Sequence, residues 1–344
     1  MTDIPLQALA GGSAPEGRNK FHQQKDYPMT KLNEAGVYSD IPAEVYHGQL
    51  TKQPSISRSM AHGMVTTCPA RAWHGSYLNP DHAPENKKAF DLGHAGHLIV
   101  LEPELWADKV VEVVADDYRT KAAQQARDEA YLAGKIPLLP HHKAQIFGMH
   151  KALIAHPLAK TAFTDGRAEQ TIVAQDPETG LWLKARPDYL RTVSGTAVML
   201  DYKTTGNANP VEFAKRVWDM GYYMQDPWYR LVYELATGEP VDSFLYVVQE
   251  TDAPYCVSVN RLSKQDVEWG MLQSRRAIHM FAECIATGEW PDYGGTISDI
   301  SMPAYAHYQL ADMAGAGRLQ PPKPSIAMLE QAKRLQAPTQ EAAQ

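Results

Sequence analysis

The chain has 344 residues, of which 44% are hydrophobic and 21% are charged, and its formal net charge is −7. This length can bury a substantial core, as one large domain or as two ordinary ones. The acidic balance gives no overall basic character that would indicate a nucleic-acid partner, although binding depends on where positive charge is concentrated. The cysteines Cys68, Cys256 and Cys284 are scattered, which argues against a disulfide framework and against a structural zinc or iron–sulfur site.

The two ends of the chain differ in composition from the middle. Residues 1–33 mix Gly, Pro, Gln and charge without periodicity, and residues 312–344 are rich in Ala, Gln and Pro. We predict a disordered N-terminal segment, a single domain over 34–311, and a flexible C-terminal tail with one short helix at 325–335. The N-terminus lacks a secretory pattern, and no apolar run approaches the roughly 20 residues of a membrane span. We therefore expect no membrane partner and a cytoplasmic location.

The first part of the domain is predicted to be helical. Ser57 or Ser59 can cap a helix that Pro69 interrupts, and Pro103 stops the helix that carries the sequence GHAGH. The predicted helices of this part cover residues 60–68, 71–78, 88–101, 119–134 and 141–156.

The pattern then changes to strands. EQTIVAQ (169–175), a turn at 176–180 and LWLKARPDYL (181–190) predict a β-hairpin, and a turn at Ser194-Gly195 leads into a third strand. The remaining predicted elements are a strand at 196–204, helices from Asn209 to about 220 and over 226–237, strands at 242–250 and 254–260, and a helix from Ser263 to about 287. This order predicts an α/β fold with a mixed central β-sheet flanked by helices.

Two acidic residues are predicted to face each other in this sheet. The third strand, VMLDYKTTG (198–206), begins with apolar residues and ends with Asp201 and Lys203, which share one face. A turn centred between Ser194 and Gly195 would pair Asp188 with Asp201. An isolated Asp-x-Lys is most often a surface pair of little energetic value, so the weight of the prediction depends on Asp188.

Carboxylates this close repel each other unless a cation lies between them. Mg²⁺, or alternatively Mn²⁺, accepts oxygen ligands and leaves positions open for water and phosphate oxygens. Lys203 could then orient the attacking water or stabilise charge on the phosphorus. The residues therefore predict metal-assisted hydrolysis of a phosphodiester.

The motif Pro187-Asp188 followed by Asp201-Tyr202-Lys203 resembles the core of the PD-(D/E)xK nucleases. GHAGH (93–97) is similar to the GxxxH of their RecB-type branch, and MQDPWY (224–229) is similar to its QxxxY. Four further segments resemble the RecE-type exonucleases, which include exonuclease VIII, and their phage or prophage relatives. These segments are GVYSDIPAEVYH (36–47), SISRSM (55–60), CPARAW (68–73) and WPDY (290–293).

The resemblance implies a Mg²⁺-dependent 5′-to-3′ exonuclease that resects double-stranded DNA ends to give 3′ single-stranded tails for recombination. It implies a bacterial or phage-infected host cell, a single-strand annealing protein as partner, and a homo-oligomeric ring around the DNA. The residues that it assigns are metal ligands at His97, Asp188 and Asp201, with the Tyr202 carbonyl as a further candidate, the catalytic Lys203, and Gln225 and Tyr229 as DNA-contacting or site-organising residues. Glu169, which opens the first strand, is either an additional acid of the metal site or a surface residue at the strand edge.

Two details of the motifs remain open. Pro227 requires Gln225 to lie at or before the start of its helix, which leaves the orientation of the Gln225 side chain undecided. His94 and His97 are three residues apart, and a zinc pair is the less favoured alternative because no third ligand accompanies them.

A DNA enzyme with this net charge must concentrate its positive charge. Lys184 and Arg186 are the preferred DNA-binding candidates, because the alternation of the second strand places them on a polar face running toward Asp188. Other basic pairs are Lys87-Lys88, Lys215-Arg216 and Arg275-Arg276, each of which is more often simply a solvated surface. The aromatic residues of the helices around 218–233 are expected in the core or an interface, with base stacking as the alternative.

Two other functions stay open at this point. A structure-specific or restriction-like endonuclease would share the same residues, and a non-catalytic DNA-binding subunit would share the same fold. Asp188, Asp201 and Lys203 together argue against the non-catalytic alternative, since an inactive site has no reason to keep all three.

Overall fold

The computed structural model describes residues 31–82, 91–295, 297–321 and 323–336. The chain divides into two compact units, residues 1–293 and residues 294–344. The predicted disordered segment 1–33 lies almost entirely outside the described residues. The described part contains no helix long and apolar enough to cross a membrane.

The described residues begin with short strands, and longer strands follow the helical first half. The strands are β1 (Gly36–Tyr38), β2 (Ser55–Ser57), β3 (Val110–Glu112), β4 (Ile136–Leu138), β5 (Gly166–Ala168), β6 (Thr171–Gln175), β7 (Trp182–Ala185), β8 (Tyr189–Val193), β9 (Thr196–Thr205), β10 (Val241–Glu250) and β11 (Val257–Asn260).

The helices lie where the sequence pattern placed most of them, with short additions. They are α1 (Ala43–His47), α2 (Arg58–Thr66), α3 (Pro69–His74), α4 (Asp91–Leu101), α5 (Trp106–Lys109), α6 (Lys121–Leu132), α7 (Pro140–Ala155), α8 (Pro210–Asp219), α9 (Gln225–Thr237), α10 (Lys264–Thr287), α11 (Ala304–Gly315) and α12 (Ile326–Gln336). Ser57, Asn209 and Ser263 cap α2, α8 and α10 with their side chains, as expected.

Two sheets dominate the first unit. The five-stranded sheet has the order β11-β10-β9-β8-β5, in which β9 and β10 are parallel and the other pairs are antiparallel. The four-stranded sheet has the order β1-β6-β7-β2, and β3 and β4 form a separate parallel pair. The predicted α/β fold with mixed sheets flanked by helices is confirmed.

The predicted register between β8 and β9 is confirmed. Tyr189 pairs with Leu200 and Val193 pairs with Thr196, so the ladder is centred on the Ser194-Gly195 turn. Asp188 lies one residue before this ladder and Asp201 one residue after the paired Leu200. The register thus brings both acids to the same end of the β8–β9 pair.

The predicted continuous strand 181–190 is wrong. The chain leaves β7 at Ala185 and enters β8 at Tyr189, and these strands belong to different sheets. Pro187 lies in the break, and proline cannot donate a ladder hydrogen bond. Both faces of β7 are buried, since Leu183 on one face and Trp182 and Lys184 on the other are all buried.

β9 separates two hydrophobic clusters. Ala197 and Met199 pack in the cluster around Trp228 of α9, while Leu200 and Tyr202 pack in the cluster that α4 and α7 complete. Alternate side chains of a strand point to opposite faces, so covering both faces buries the whole strand. The apolar run that precedes Asp201 is therefore explained by burial from both sides.

The second unit contains α11 and α12. The short helix predicted at 325–335 agrees with α12, while α11 was not predicted. Within its described residues this unit buries no side chain fully, and several large apolar residues such as Ile297 and Ile300 are exposed.

Candidate active site

The end of β9 presents a buried aspartate beside a lysine. Asp201 is fully buried, and the ammonium of Lys203 forms an ion pair with its Oδ1. Burial alone would lower the pKa of Lys203, but the charges of Asp201 and Asp188 outweigh it and raise that pKa above its usual value. The Lys203 ammonium also lies 4.7 Å from the centre of the Tyr222 ring. Lys203 is therefore held as a cation.

Gln225 completes the contacts of Asp201. As the first residue of α9 it is buried, and its Nε2 donates a hydrogen bond to Oδ2 of Asp201. Pro227 occupies the first turn of the helix, where its missing N–H costs no helical hydrogen bond. The orientation that the sequence left open is thus toward the carboxylate.

Asp188 lies beside this pair. Its Oδ2 accepts a hydrogen bond of 2.7 Å from the backbone N–H of Tyr202. Burial, followed by the negative charge of Asp201, raises the pKa of Asp188 well above its usual value. The two acids are close enough to oppose each other's ionisation, as the register predicted.

His97 of α4 faces the same carboxylate. Its Nδ1 lies 3.7 Å from Oδ2 of Asp188, and its ring meets the Tyr202 ring edge-on at 5.2 Å. Burial and the charge of Lys203 lower the pKa of His97 to about 4, which leaves the imidazole neutral at physiological pH. A neutral imidazole is the form that binds a metal. His94 lines a separate groove with residues of α2, α3 and α6.

Glu169 approaches from the turn between β5 and β6. Its backbone is left-handed, with φ of 50°, and its N–H donates to the carbonyl of Asp188 over 3.0 Å. Burial raises the pKa of Glu169 to about 7, partly offset by the charge of Arg186. The sequence predicted that Glu169 opens the first strand of the hairpin. This prediction is wrong, because β6 begins at Thr171.

Tyr229 lies on α9 one turn after Gln225. It is buried with its ring edge against Phe244. Burial raises its pKa well above the usual value, and the charges of Asp201 and Asp188 add to the rise. Tyr229 thus lies on the helix that Gln225 begins and packs in the hydrophobic cluster around Trp228.

Lys184 does not lie where a DNA backbone could reach it. It is 2% exposed, and its ammonium donates to the carbonyls of Tyr46 and Gly48 over 2.6 and 3.0 Å. Arg186 is half-buried and donates to Thr171 and to the carbonyl of Ile41. The segment around α1 covers the face of β7 that was expected to be exposed. The prediction that Lys184 and Arg186 form an exposed DNA-binding pair is therefore wrong.

The other basic pairs are largely occupied. Lys215 forms an ion pair with Glu212 on the surface of α8, and Arg216 donates to Thr205. Arg275 pairs with Asp176 and Glu178 in the turn of the β6–β7 hairpin. Lys87-Lys88 lie outside the described residues.

Sequence reasoning missed two supporting residues. Tyr222 provides the ring beside Lys203, and Gln249 of β10 accepts a 2.6 Å hydrogen bond from the Tyr202 hydroxyl. Gln249 also donates to the carbonyl of Met149 on α7. A glutamine within an apolar strand is the sequence signal that could have indicated Gln249 as a supporting residue.

The donor set suits a hard cation. Oε1 of Gln225 is buried and accepts no hydrogen bond, and Oδ1 of Asp201 is paired with the Lys203 ammonium. A cation between the two acids would relieve the repulsion from Asp201 that helps to raise the pKa of Asp188. Among the described residues no three His, Cys, Asp or Glu side chains are already arranged as metal ligands. The carboxylate oxygens would suit Mg²⁺ by their chemistry, and His94, the second histidine of the zinc alternative, lines the groove beside α2, α3 and α6.

Residues 57–302 match the family described as "PDDEXK-like domain of unknown function (DUF3799)". The chain belongs to this family. The match covers every motif discussed above except the segment at 36–47 and the first two residues of SISRSM (55–60). It places the chain among the PD-(D/E)xK nucleases, as the resemblance predicted, without selecting the RecE-type branch.

A solved structure agrees with this fold. The crystal structure of a "Putative exonuclease" from Eubacterium rectale covers 76% of this chain and 96% of its own, with a TM-score of 0.52 and 13% identity. At that identity the likeness shows the fold alone. The crystal structure of SSO0001 covers 67% of this chain and 78% of its own, and its TM-score of 0.28 at 10% identity carries no argument. No curated protein matches the chain.

Proposed function

We propose that this PDDEXK-like protein is a Mg²⁺-dependent exonuclease that degrades linear double-stranded DNA from its 5′ ends and leaves 3′ single-stranded tails. The observation that carries the proposal is the meeting of Asp188, Asp201 and Lys203 at one end of the β8–β9 pair, with Gln225 bound to Asp201. Membership of the nuclease superfamily supports the same chemistry.

In this proposal Asp188 and Asp201 hold the cation, with His97 and the Tyr202 carbonyl as further ligands and Glu169 beside them. Mg²⁺, or Mn²⁺ in its place, supplies a Lewis acid and lowers the pKa of a bound water. Gln225 keeps the Asp201 carboxylate in one orientation, which fixes where its lone pairs point.

The role of Lys203 follows from its charge. Because the neighbouring carboxylates raise its pKa, Lys203 remains an ammonium at neutral pH and cannot serve as a general base. It can instead donate hydrogen bonds to the phosphate oxygens on which negative charge develops. Lys203 therefore stabilises the transition state.

The finer features of the proposal rest on the RecE-type motifs. These features are the 5′-to-3′ polarity, a role in recombination beside a single-strand annealing protein, a homo-oligomeric ring, and a place in the cytoplasm of a bacterial or phage-infected cell. A ring would allow a basic inner surface on a chain whose net charge is −7.

The test uses linear duplexes labelled at either the 5′ or the 3′ ends, with a covalently closed circle as the matched substrate. With Mg²⁺ we expect early release of the 5′ label as mononucleotides, retention of the 3′ label on shortened strands, and an intact circle. Cleavage of the circle would support the endonuclease instead. Absence of any cleavage in Mg²⁺ or Mn²⁺ would support the non-catalytic alternative.

A further inference from the structure

Arg58 is a partly exposed cation whose hydrogen bonds are incomplete. It is the first residue of α2, and one terminal nitrogen donates to the carbonyl of Met220 over 3.2 Å. Its Nε is buried and has no hydrogen-bond partner, and no carboxylate of the described residues forms an ion pair with it. A guanidinium offers five donors in a planar fork, so most of this capacity is unused.

The turn that Arg58 contacts carries two parts of the candidate site. Met220 ends α8, and Tyr222, two residues later, lies beside the ammonium of Lys203. Gln225 follows at the start of α9 with its hydrogen bond to Asp201. Arg58 is thus connected through one short segment to the lysine and to the carboxylate.

Arg58 and the paired acids act on the pKa of the same buried tyrosine, Tyr229. The pKa of this tyrosine is raised first by burial, then further by Asp201 and Asp188, whereas the positive charge of Arg58 acts in the opposite direction. The hydroxyl of Tyr246 donates to the carbonyl of Tyr222. Burial and the charge of Asp201 raise the pKa of Tyr246, and the charge of Arg58 acts in the opposite direction.

Other cations of the first unit have more complete contacts than Arg58. Lys203 is paired with Asp201, Arg186 is bound to Thr171, and Lys184 is buried against backbone carbonyls. A purely structural arginine would be expected to satisfy its buried Nε within the protein, because an orphaned buried donor costs free energy. The fork geometry of a guanidinium matches a phosphate group.

We propose that Arg58 binds a backbone phosphate of the DNA strand, adjacent to the phosphate that Lys203 contacts. This inference rests on DNA being the substrate in the proposed function. The contact positions the strand through its phosphodiester and carries no base specificity. The arginine of the segment SISRSM (55–60) would thus contact the DNA backbone.

The test measures how DNA binding depends on salt. A fluorescently labelled linear duplex is titrated with the full chain in EDTA, which prevents cleavage, at KCl concentrations from about 50 to 200 mM. Arg58→Gln removes the charge. Arg58→Lys keeps the charge without the fork, and Arg119→Gln removes an equal charge from a side chain that is 90% exposed and paired with Asp117.

Removing one phosphate contact makes the slope of log K against log salt shallower by about 0.9. We expect this change in Arg58→Gln and not in Arg119→Gln. Arg58→Lys should keep the wild-type slope with about tenfold weaker binding, and it serves as the measurement if the glutamine variant fails to fold.

An unchanged slope in a folded Arg58→Gln variant, with or without weaker binding, would overturn the inference, because a structural role lowers affinity equally at all salt concentrations. Failure of the wild-type chain to bind DNA would also overturn it. A wild-type chain that shows the Arg58-dependent slope but cleaves nothing in Mg²⁺ would contradict the proposed nuclease function and leave the phosphate contact supported.

Discussion

The side-chain amide of Gln225 donates a hydrogen bond to the Asp201 carboxylate, which joins the start of α9 to the end of β9. The other oxygen of Asp201 faces the ammonium of Lys203. Asp201 is therefore held from two sides before any cation or DNA is bound.

Loss of either charged partner should abolish cleavage of linear duplex. In Asp201→Ala a metal ligand is lost, and in Lys203→Ala the cation at the developing charge is lost, so we expect at least about a 10³-fold lower rate in each. Asp242→Ala, on an exposed position of β10, is the control. Label release from linear duplexes in Mg²⁺ gives the rates, and near-wild-type activity of either folded variant would disprove the assignment of this site.

Gln225→Ala should weaken the binding of divalent cations and leave the fold intact. Without the amide, the Asp201 carboxylate can rotate toward Lys203, and residues that orient metal ligands are typically worth about 10- to 100-fold in metal affinity. Isothermal titration with Mn²⁺ measures the change directly. Equal affinity in wild type and variant would show that Gln225 has no orienting role.

Asp188→Asn should stabilise the metal-free protein. The pKa of Asp188 is raised by burial and by Asp201, so its charge opposes folding at neutral pH when no cation is present. An asparagine oxygen can still accept the hydrogen bond from Tyr202. We expect a gain of about 1–2 kcal/mol in the free energy of unfolding in EDTA.

Added Mg²⁺ provides the matching control. It should raise the melting temperature of the wild-type protein and leave that of Asp188→Asn nearly unchanged. A variant that is less stable than wild type in EDTA would contradict the account of Asp188 as an uncompensated charge.

Much of this site could be predicted from the sequence because its signals are local. The turn at Ser194-Gly195 fixed the register of β8 and β9, and the register alone brings Asp188 and Asp201 to one end of the pair. The helix caps at Ser57, Asn209 and Ser263 are short-range signals of the same kind.

The features that sequence reasoning missed depend on distant segments. Lys184 alternates with apolar residues as a surface residue would, and its burial follows from the carbonyls of Tyr46 and Gly48, more than 130 positions away. The break at Pro187 was visible in the sequence, but the change of sheet depends on which strands later pair with β7 and β8. The alternation of apolar and polar residues along a strand does not show whether a distant segment covers its polar face.

Gly270→Ala should destabilise the protein. α10 crosses the turn before α9 so closely that a Cβ at Gly270 would lie 1.9 Å from the backbone oxygen of Tyr223. The helix or the turn must shift, at a cost of about 2–3 kcal/mol. Gly93→Ala on α4, where a Cβ meets nothing within 4 Å, should be neutral or slightly stabilising. Urea unfolding compares the two, and equal midpoints would contradict the prediction.

Lys184 should make stability depend on pH in the alkaline range. Burial and the charge of Arg186 lower its pKa to about 7 in the folded protein, while a lysine in the unfolded chain titrates near 10.4. Between these values the unfolded chain binds more protons, so the contribution of Lys184 to the free energy of unfolding increases as pH rises.

The measurement compares wild type with Lys184→Met by urea unfolding from pH 7 to pH 9. The stability of wild type relative to the variant should increase by about 1–2 kcal/mol across this range. Lys215→Met, on the surface of α8, should show no such trend. A difference that stays constant with pH would show that Lys184 remains charged in the folded state.

The chain passes from the four-stranded to the five-stranded sheet through Arg186, Pro187 and Asp188. One carboxylate of the site thus belongs to the junction of the sheets, while Asp201 lies inside the five-stranded sheet. Any slippage between the sheets changes the spacing of the two acids long before a strand is lost. The affinity for a cation should therefore depend on how the two sheets are aligned. We expect it to decline at denaturant concentrations below those that unfold the protein.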